Sequence, residues 1–178
     1  MSEQNQIEIP LSKQKLYLML FGSIIFVCLG IWLVTNPPKS NHPIFGNPMI
    51  ILISGISALT FFGFIAFTLI KKLPDNKPGL IINSEGIIDY SSGVSAGIVS
   101  WKDIIEITTS NVINQKFIMF IVKNPEEYIN RQNGVIKRKA MEMNYKSYGS
   151  PISISANTLN TNFEELYKLL QRKFNENK

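Results

Sequence analysis

Two long uncharged apolar runs near the N-terminus constrain this chain more than any other feature. The first, LYLMLFGSIIFVCLGIWLVT, covers residues 16–35, and the second, MIILISGISALTFFGFIAFTLI, covers residues 49–70. At helical rise each run extends about 30 Å, the thickness of the hydrocarbon core of a bilayer. Buried helices of soluble proteins are seldom so long. The two runs therefore predict a transmembrane hairpin over residues 16–70, with an outer connector at residues 36–48.

A cleaved signal peptide is the alternative explanation of the first run, because Lys13 and Lys15 precede it. The apolar region is too long for a signal peptide, and no small-x-small cleavage pattern follows it. The sequence Asn36-Pro37-Pro38 is instead typical of the end of a span. We therefore expect a retained helix.

Lysines beside the runs predict the orientation of the hairpin. Both outer ends of the hairpin are basic, whereas the connector holds a single lysine, and lysine favours the cytoplasmic side. We expect both termini to be cytoplasmic, with residues 1–15 as an N-terminal tail, residues 71–78 as a linker and residues 79–178 as a cytoplasmic domain. The lysines are Lys13, Lys15, Lys71, Lys72 and Lys77 at the ends, and Lys39 in the connector.

Small residues recur inside both runs, at Gly22, Gly30, Gly55 and Gly63. Such residues let helices approach closely, either within the hairpin or across a dimer, and we favour packing within the hairpin. Neither run contains an Asp, Glu, Lys or Arg. A transporter or channel would need such a residue for its pathway, so the sequence argues against both functions.

Composition narrows the remaining functions. The net charge is +5, which is modest, and acids are interleaved with the bases, so we expect no nucleic-acid partner. Cys28, the only cysteine, lies in the first run, and His42, the only histidine, lies in the connector. No cysteine-built metal site, zinc spacing or phosphate-cradling loop is present. We therefore predict a protein that is not an enzyme and that needs no metal or cofactor.

Short apolar segments with turn residues between them predict an antiparallel sheet or small barrel after the hairpin. The C-terminal segment changes to helical spacing from residue 162 to residue 174, with Phe163, Leu166 and Leu170 on one face, and it should cover one end of the sheet. The predicted strands are residues 80–82, 87–90, 98–99, 104–109, 117–122 and 152–155.

A long insertion, residues 124–151, separates the last two predicted strands. Pro125 suits the first position of a helix, and Gly134 should interrupt that helix. The insertion contains the densest basic run of the chain. This run is either a solvated helix face or a contact for anionic lipid or a protein partner. The candidate contact residues are Arg131, Lys137, Arg138, Lys139 and Lys146.

Residues 100–103, Ser-Trp-Lys-Asp, interrupt an apolar stretch between two predicted strands. The Ser100 hydroxyl could accept a hydrogen bond from the backbone near Asp103, and the Asp103 carboxylate could return one. Trp101 would then bury its ring while its indole N–H finds a backbone acceptor. We interpret these three residues as a structural staple, in preference to a ligand platform.

The order of these segments resembles a group of small bacterial inner-membrane proteins with two N-terminal spans and a cytoplasmic pleckstrin-homology-like domain. The segments that carry the resemblance are GLIINSEGIIDY, SWKDI, NPEEY, GSPISISANTL and FEELYKLL. The resemblance implies an α+β chain, with a curved antiparallel sheet of seven strands and one C-terminal capping helix, in the bacterial inner membrane. The sequence shows six strands, and the insertion is long for a small sheet domain. The first hairpin loop, residues 83–86, has an acid and no base, so inositide binding does not carry over.

Two functions remain open at this stage. The first is a membrane-anchored binding or scaffold module, which would contact a protein partner, associate with itself or contact anionic headgroups. The alternative is an immunity protein that protects the cell against a toxin of the envelope.

Overall fold

A computed structural model describes residues 6–38, 42 and 46–178. The described part is α+β, with two long apolar helices and seven antiparallel strands. It divides into a helical hairpin, Lys13–Asn76, and a sheet unit, which consists of the residues up to Ser12 together with Lys77–Lys178. The helices are α1 (Lys13–Thr35), α2 (Pro48–Lys72), α3 (Pro125–Asn130), α4 (Val135–Tyr148) and α5 (Phe163–Asn177).

Helices α1 and α2 pack against each other along their length and are long and apolar enough to cross a membrane. Most of their large side chains are exposed, including Phe21 and Phe64, which is the pattern of a lipid-facing helix and not of a soluble core. Asn47 caps α2, since its side chain accepts a hydrogen bond from the Met49 amide. Within the predicted outer connector, residues 36–48, residues 39–41 and 43–45 lie outside the described part of the chain.

Glycines mark the closest approach of α1 and α2. A Cβ on Gly30 would lie 3.1 Å from the Gly55 carbonyl oxygen, and a Cβ on Gly55 would lie 2.7 Å from Val34 Cγ2. Gly22 and Gly63 have no atom within 4 Å of such a Cβ. Two of the four glycines therefore serve packing within the hairpin, as the sequence favoured.

The sheet unit contains two antiparallel sheets, in the orders β1-β2-β3-β4 and β5-β6-β7. All six strands predicted from the sequence are present. The seventh, β1, lies in the segment that the sequence suggested was only a tail. The strands are β1 (Ile7–Pro10), β2 (Pro78–Ile82), β3 (Gly86–Asp89), β4 (Ile98–Ser100), β5 (Ile104–Val112), β6 (Gln115–Val122) and β7 (Ile152–Ile154).

Strand β1 pairs antiparallel with β2, from Ile7 opposite Ile82 to Pro10 opposite Pro78. These neighbouring strands lie before and after the helical hairpin in the chain. The hairpin is therefore inserted into the first connection of the sheet. Ile9 is buried in the core of the sheet unit, so β1 is an integral strand of the fold.

One hydrophobic core joins both sheets to α5. Leu166, Leu170 and Phe174 are buried on one face of α5, as the helical spacing predicted. Asn162 begins the helix, and its side chain accepts a hydrogen bond from the Glu165 amide at 2.9 Å. The insertion forms α3 and α4, which Gly134 separates with a φ of 145°.

Candidate functional site

The corner at residues 101–103 is a single 3-10 turn between β4 and β5. Trp101 is 2% exposed, and its Nε1 donates to the Asn83 carbonyl oxygen at 2.8 Å. The Trp101 amide donates to the Glu85 carbonyl oxygen at 3.2 Å. This ring is buried with its indole hydrogen satisfied, which is the arrangement the sequence suggested.

The reciprocal cap expected between Ser100 and Asp103 is absent, and that detail of the interpretation was wrong. Ser100 makes no side-chain capping bond, because the turn is only three residues long and closes through its own backbone, from the Ile104 amide to the Trp101 carbonyl. The Asp103 carboxylate has a different partner: its Oδ2 accepts a hydrogen bond from the Tyr128 hydroxyl at 2.9 Å. Asp103 thus fastens α3 to the corner.

Tyr128 and Arg131, on and just after α3, complete this corner. Burial and the hydrogen bond to Asp103 raise the pKa of Tyr128 from 10.0 to about 12. The Arg131 guanidinium lies 4.3 Å from the centroid of the Tyr128 ring, and its Nη2 donates to the carbonyl oxygens of Ala96 and Ile98. Arg131, a candidate lipid or partner contact, is exposed, and its hydrogen bond to the Ile98 carbonyl oxygen connects the end of α3 to β4.

A shallow cleft of about 410 Å³ lies beside the corner. Its lining has both signs of charge, with Glu85 and Asp103 opposed by Lys102 and Arg131. The volume is within the range of small-molecule sites, but two of its charged groups, those of Asp103 and Arg131, already bond to protein. The remaining lining residues are Ser84, Ile98, Ser100, Trp101, Tyr128 and Asn177.

The other four candidate contact residues lie together on α4, apart from Arg131. Lys137, Arg138, Lys139 and Lys146 are exposed, and none forms an ion pair within the described part of the chain. Apolar side chains are also exposed on α4. Val135 is 71% exposed, Ile136 85% and Met143 64%.

One stripe of α4 contains both exposed basic and exposed apolar side chains. Residues 136, 139, 143 and 146 are three or four apart and so lie along one face of the helix. In order they are Ile136, Lys139, Met143 and Lys146. The opposite face holds Met141, which is fully buried, so the orientation of the helix is fixed by packing. A groove of about 260 Å³ runs beside this stripe, between Met143 on α4 and Val112 and Phe117 on the β5–β6 hairpin.

The described residues offer few side chains that could bind a metal ion or take part in a reaction. No group of three His, Cys, Asp or Glu side chains that could hold a metal ion occurs in the described residues. The one buried carboxylate among them, Asp89, accepts hydrogen bonds from the Ser91 amide and from the hydroxyls of Ser91 and Ser92, which stabilise the turn after β3.

Comparison of the chain with models of protein families, with curated proteins and with solved structures gave no match.

Sequence reasoning missed the partners of the corner and one strand. Tyr128 and Arg131 are three residues apart, so a helix places them on one face, and this spacing could have suggested the stacking. The strand β1 has the alternating sequence Ile7-Glu8-Ile9, a short signal that the neighbouring span obscured.

Proposed function

We propose that this protein is a membrane-anchored, non-catalytic binding module of the bacterial inner membrane. The observation that carries the proposal is the pairing of β1 with β2 around the helical hairpin. Both strands belong to one sheet, so both ends of the hairpin must be on the same side of a membrane that it crosses. Only Leu11 and Ser12 separate β1 from α1, so the sheet unit is kept at the membrane surface.

The flanking lysines favour the cytoplasm as that side. Lys13 begins α1, and Lys71 and Lys72 end α2, where basic residues are retained on the cytoplasmic face. With both ends of the hairpin inside, the sheet unit and both termini are cytoplasmic. The described connector ends carry no charge.

The architecture supports a pleckstrin-homology-like unit. The resemblance implies seven strands and one C-terminal capping helix, and the sheet unit has seven strands with α5 packed on its core. The strand missing from the sequence count is β1. This unit differs in its first connection, which holds the whole membrane hairpin in place of a short loop.

The α4 stripe is the surface we assign to the partner. Exposed Ile136 and Met143 supply apolar contact area, and unpaired Lys139 and Lys146 beside them favour an acidic partner. The groove next to Met143 could receive an apolar side chain of that partner. We therefore propose a protein partner with acidic and apolar residues, docked on α4.

Site-specific photocrosslinking in intact membranes tests this function. A photoreactive residue at Ile136 should crosslink to one defined protein, whereas the same residue at Lys168, exposed on α5, should not. Lys139→Glu and Lys146→Glu together should abolish the crosslink. Crosslinks to phospholipid alone would overturn the protein partner and favour headgroup binding. Sensitivity of a deletion strain to its parent strain in competition would instead favour an immunity role.

The orientation has its own test. A reporter fused after Lys178 should be active only in the cytoplasm. Activity outside the cytoplasm would overturn both the topology and the proposed module.

A further inference from the structure

The loops at the two ends of the sheet unit differ in charge. Three loops at one end, residues 91–97, 113–114 and 155–162, contain no charged residue. The turns at the other end carry Glu85, Lys102, Asp103 and Lys123. Lys116 and Glu164, which border the uncharged loops in sequence, form an ion pair with each other at 2.8 Å. Charged residues in exposed loops increase the solubility of a protein, so three neighbouring loops without charge are unusual for a surface in water.

Hydrogen bonds gather the three uncharged loops. The Asn157 side-chain amide donates to the Gln115 side chain, at the base of the β5–β6 turn. Its neighbour Thr158 donates through Oγ1 to the Ser91 carbonyl oxygen at 3.4 Å. The loops therefore form one continuous surface, which we call the uncharged end.

The chain leaves the sheet unit for the helical hairpin at this same end. The Ser12 amide donates to the Thr158 carbonyl oxygen at 2.8 Å, and the Asn160 amide donates to the Pro10 carbonyl oxygen at 2.9 Å. Ser12 is followed directly by Lys13, the first residue of α1. The uncharged end is thus the end from which the apolar helices depart.

Ile113, at the tip of the β5–β6 hairpin, is the most exposed apolar side chain of the uncharged end. Its side chain is 93% exposed, and the two-residue turn places Ile113 at φ 49° and Asn114 at φ 62°. Two-residue turns with positive φ at both positions favour Asn-Gly, and a β-branched residue there is strained. Ile113 therefore gains no packing that would offset its strain within the sheet unit. Strain of this kind at an exposed position indicates a function outside the fold.

Tyr90 adds an exposed aromatic ring to the uncharged end. The side chain is 48% exposed, and the Tyr90 amide donates to the Gly79 carbonyl oxygen at 2.8 Å, one residue inside the start of β2. Tyrosine is enriched at the headgroup level of membranes, where the ring is half in the apolar layer and the hydroxyl is wet. An isoleucine, a tyrosine and a rim of Ser, Thr and Asn match that layer.

We propose that the uncharged end lies on the cytoplasmic bilayer surface, with Ile113 inserted at the boundary between headgroups and acyl chains. The proposal rests on the proposed function in one respect, namely that α1 and α2 span the membrane. Lipid is the occupant because Ser12, whose amide is hydrogen-bonded to Thr158, is followed directly in the chain by α1, and because the three loops contain no charged residue with which a polar partner could pair. Contact should accordingly depend on apolar depth and not on anionic headgroups.

Fluorescence quenching in proteoliposomes tests the proposal on the full chain. Cys28 is the only cysteine, so a Cys28→Ala background allows one environment-sensitive fluorophore to be attached at Ile113→Cys. The matched control is Lys102→Cys, which is exposed at the charged end. Vesicles of phosphatidylcholine, with and without phosphatidylglycerol, carry nitroxide lipids with the quencher either near the headgroup or deep in the acyl chain.

The label at residue 113 should be quenched several-fold more strongly by the shallow nitroxide than the label at residue 102, in both lipid compositions. Equal quenching at the two positions would overturn the inference. Asn114→Cys, in the same turn, repeats the measurement without changing Ile113, and should show the same shallow quenching.

A label on native Cys28 separates this inference from the proposed function. Cys28 lies within α1 and should be quenched by the deep nitroxide if the helix spans the bilayer. Deep quenching at Cys28 without shallow quenching at residue 113 refutes only the contact of the uncharged end. Loss of quenching at Cys28 refutes the membrane hairpin and the inference together.

Discussion

Replacement of Trp101 by alanine should cost the sheet unit about 4 kcal/mol of unfolding free energy. The ring is 2% exposed, and a tryptophan buries about 200 Å², which at about 25 cal/mol/Å² gives about 5 kcal/mol for the side chain. Alanine retains the Cβ, and measured Trp→Ala losses in cores are about 3–5 kcal/mol. The indole bond to the Asn83 carbonyl is part of this loss, at about 1 kcal/mol.

Urea unfolding of the purified full chain in detergent micelles, read by brief proteolysis, is a suitable assay. Proteolysis reports the sheet unit, because the apolar helices are protected by the micelle. With a slope of about 2 kcal/mol per molar urea, the midpoint should fall by about 2 M. Such a loss is a large fraction of the stability of an ordinary domain, about 5–15 kcal/mol.

Two variants make this measurement decisive. Trp32→Ala removes an indole that is 52% exposed on α1, and should leave the urea midpoint unchanged. Trp101→Phe keeps most of the ring but removes the donor to Asn83, and should have an intermediate midpoint. If Trp101→Ala matches Trp32→Ala, the ring does not hold the corner, and the cleft beside it becomes a candidate ligand site again.

Three further outcomes are expected. Because the folded pKa of Tyr128 is about 12 and its ordinary value is 10.0, its contribution to stability is complete below pH 10 and is lost as the pH rises toward 12. Spectrophotometric titration should show the late ionisation of Tyr128, and Tyr128→Phe should remove it. Ile113→Asn should raise the urea midpoint by an amount equivalent to about 1 kcal/mol, because asparagine adopts a positive φ with less strain than isoleucine. A lower midpoint would show that Ile113 packs on the sheet unit. Replacement of residues 13–76 by a short Asn-Gly turn should give a sheet unit that is soluble and monomeric in size-exclusion chromatography, because Pro10 and Pro78 are paired. Residues 79–178 alone, which lack β1, should have a lower melting temperature. Equal melting temperatures of the two proteins would contradict a structural role for β1.

The long elements could be predicted because each carries its own local signal. The apolar runs gave α1 and α2, alternation and turn residues gave six strands, and helical spacing from Phe163 to Phe174 gave α5. Pro125 and Gly134 likewise indicated where the insertion helices begin and break. These signals depend on neighbours in sequence, so one chain is enough to read them.

Long-range pairings left no comparable signal. Nothing near Ile9 indicates that its partner is Leu80, beyond the two apolar helices, and a short strand is easily overlooked beside a span. The side chain of Asp103 had a plausible local partner in Ser100, but Tyr128, distant in sequence, displaced that choice. The contacts of the basic side chains could not be predicted either. Arg131 and Lys139 are both basic residues of the insertion, but only the Arg131 side chain forms a hydrogen bond among the described residues.

In the proposed topology, the insertion of the hairpin into the sheet couples folding of the sheet unit to membrane insertion. Strand β1 is synthesised first and its partner β2 follows both apolar helices, so in that topology the pair forms in the inserted protein only after α1 and α2 have both crossed. If one helix alone crossed, β1 and β2 would lie on opposite sides of the membrane. Strand β2 would then expose an unpaired edge, with Ile9 withdrawn from the core. In the proposed topology, completion of the four-stranded sheet therefore distinguishes a chain with both helices inserted from a chain with only one helix inserted.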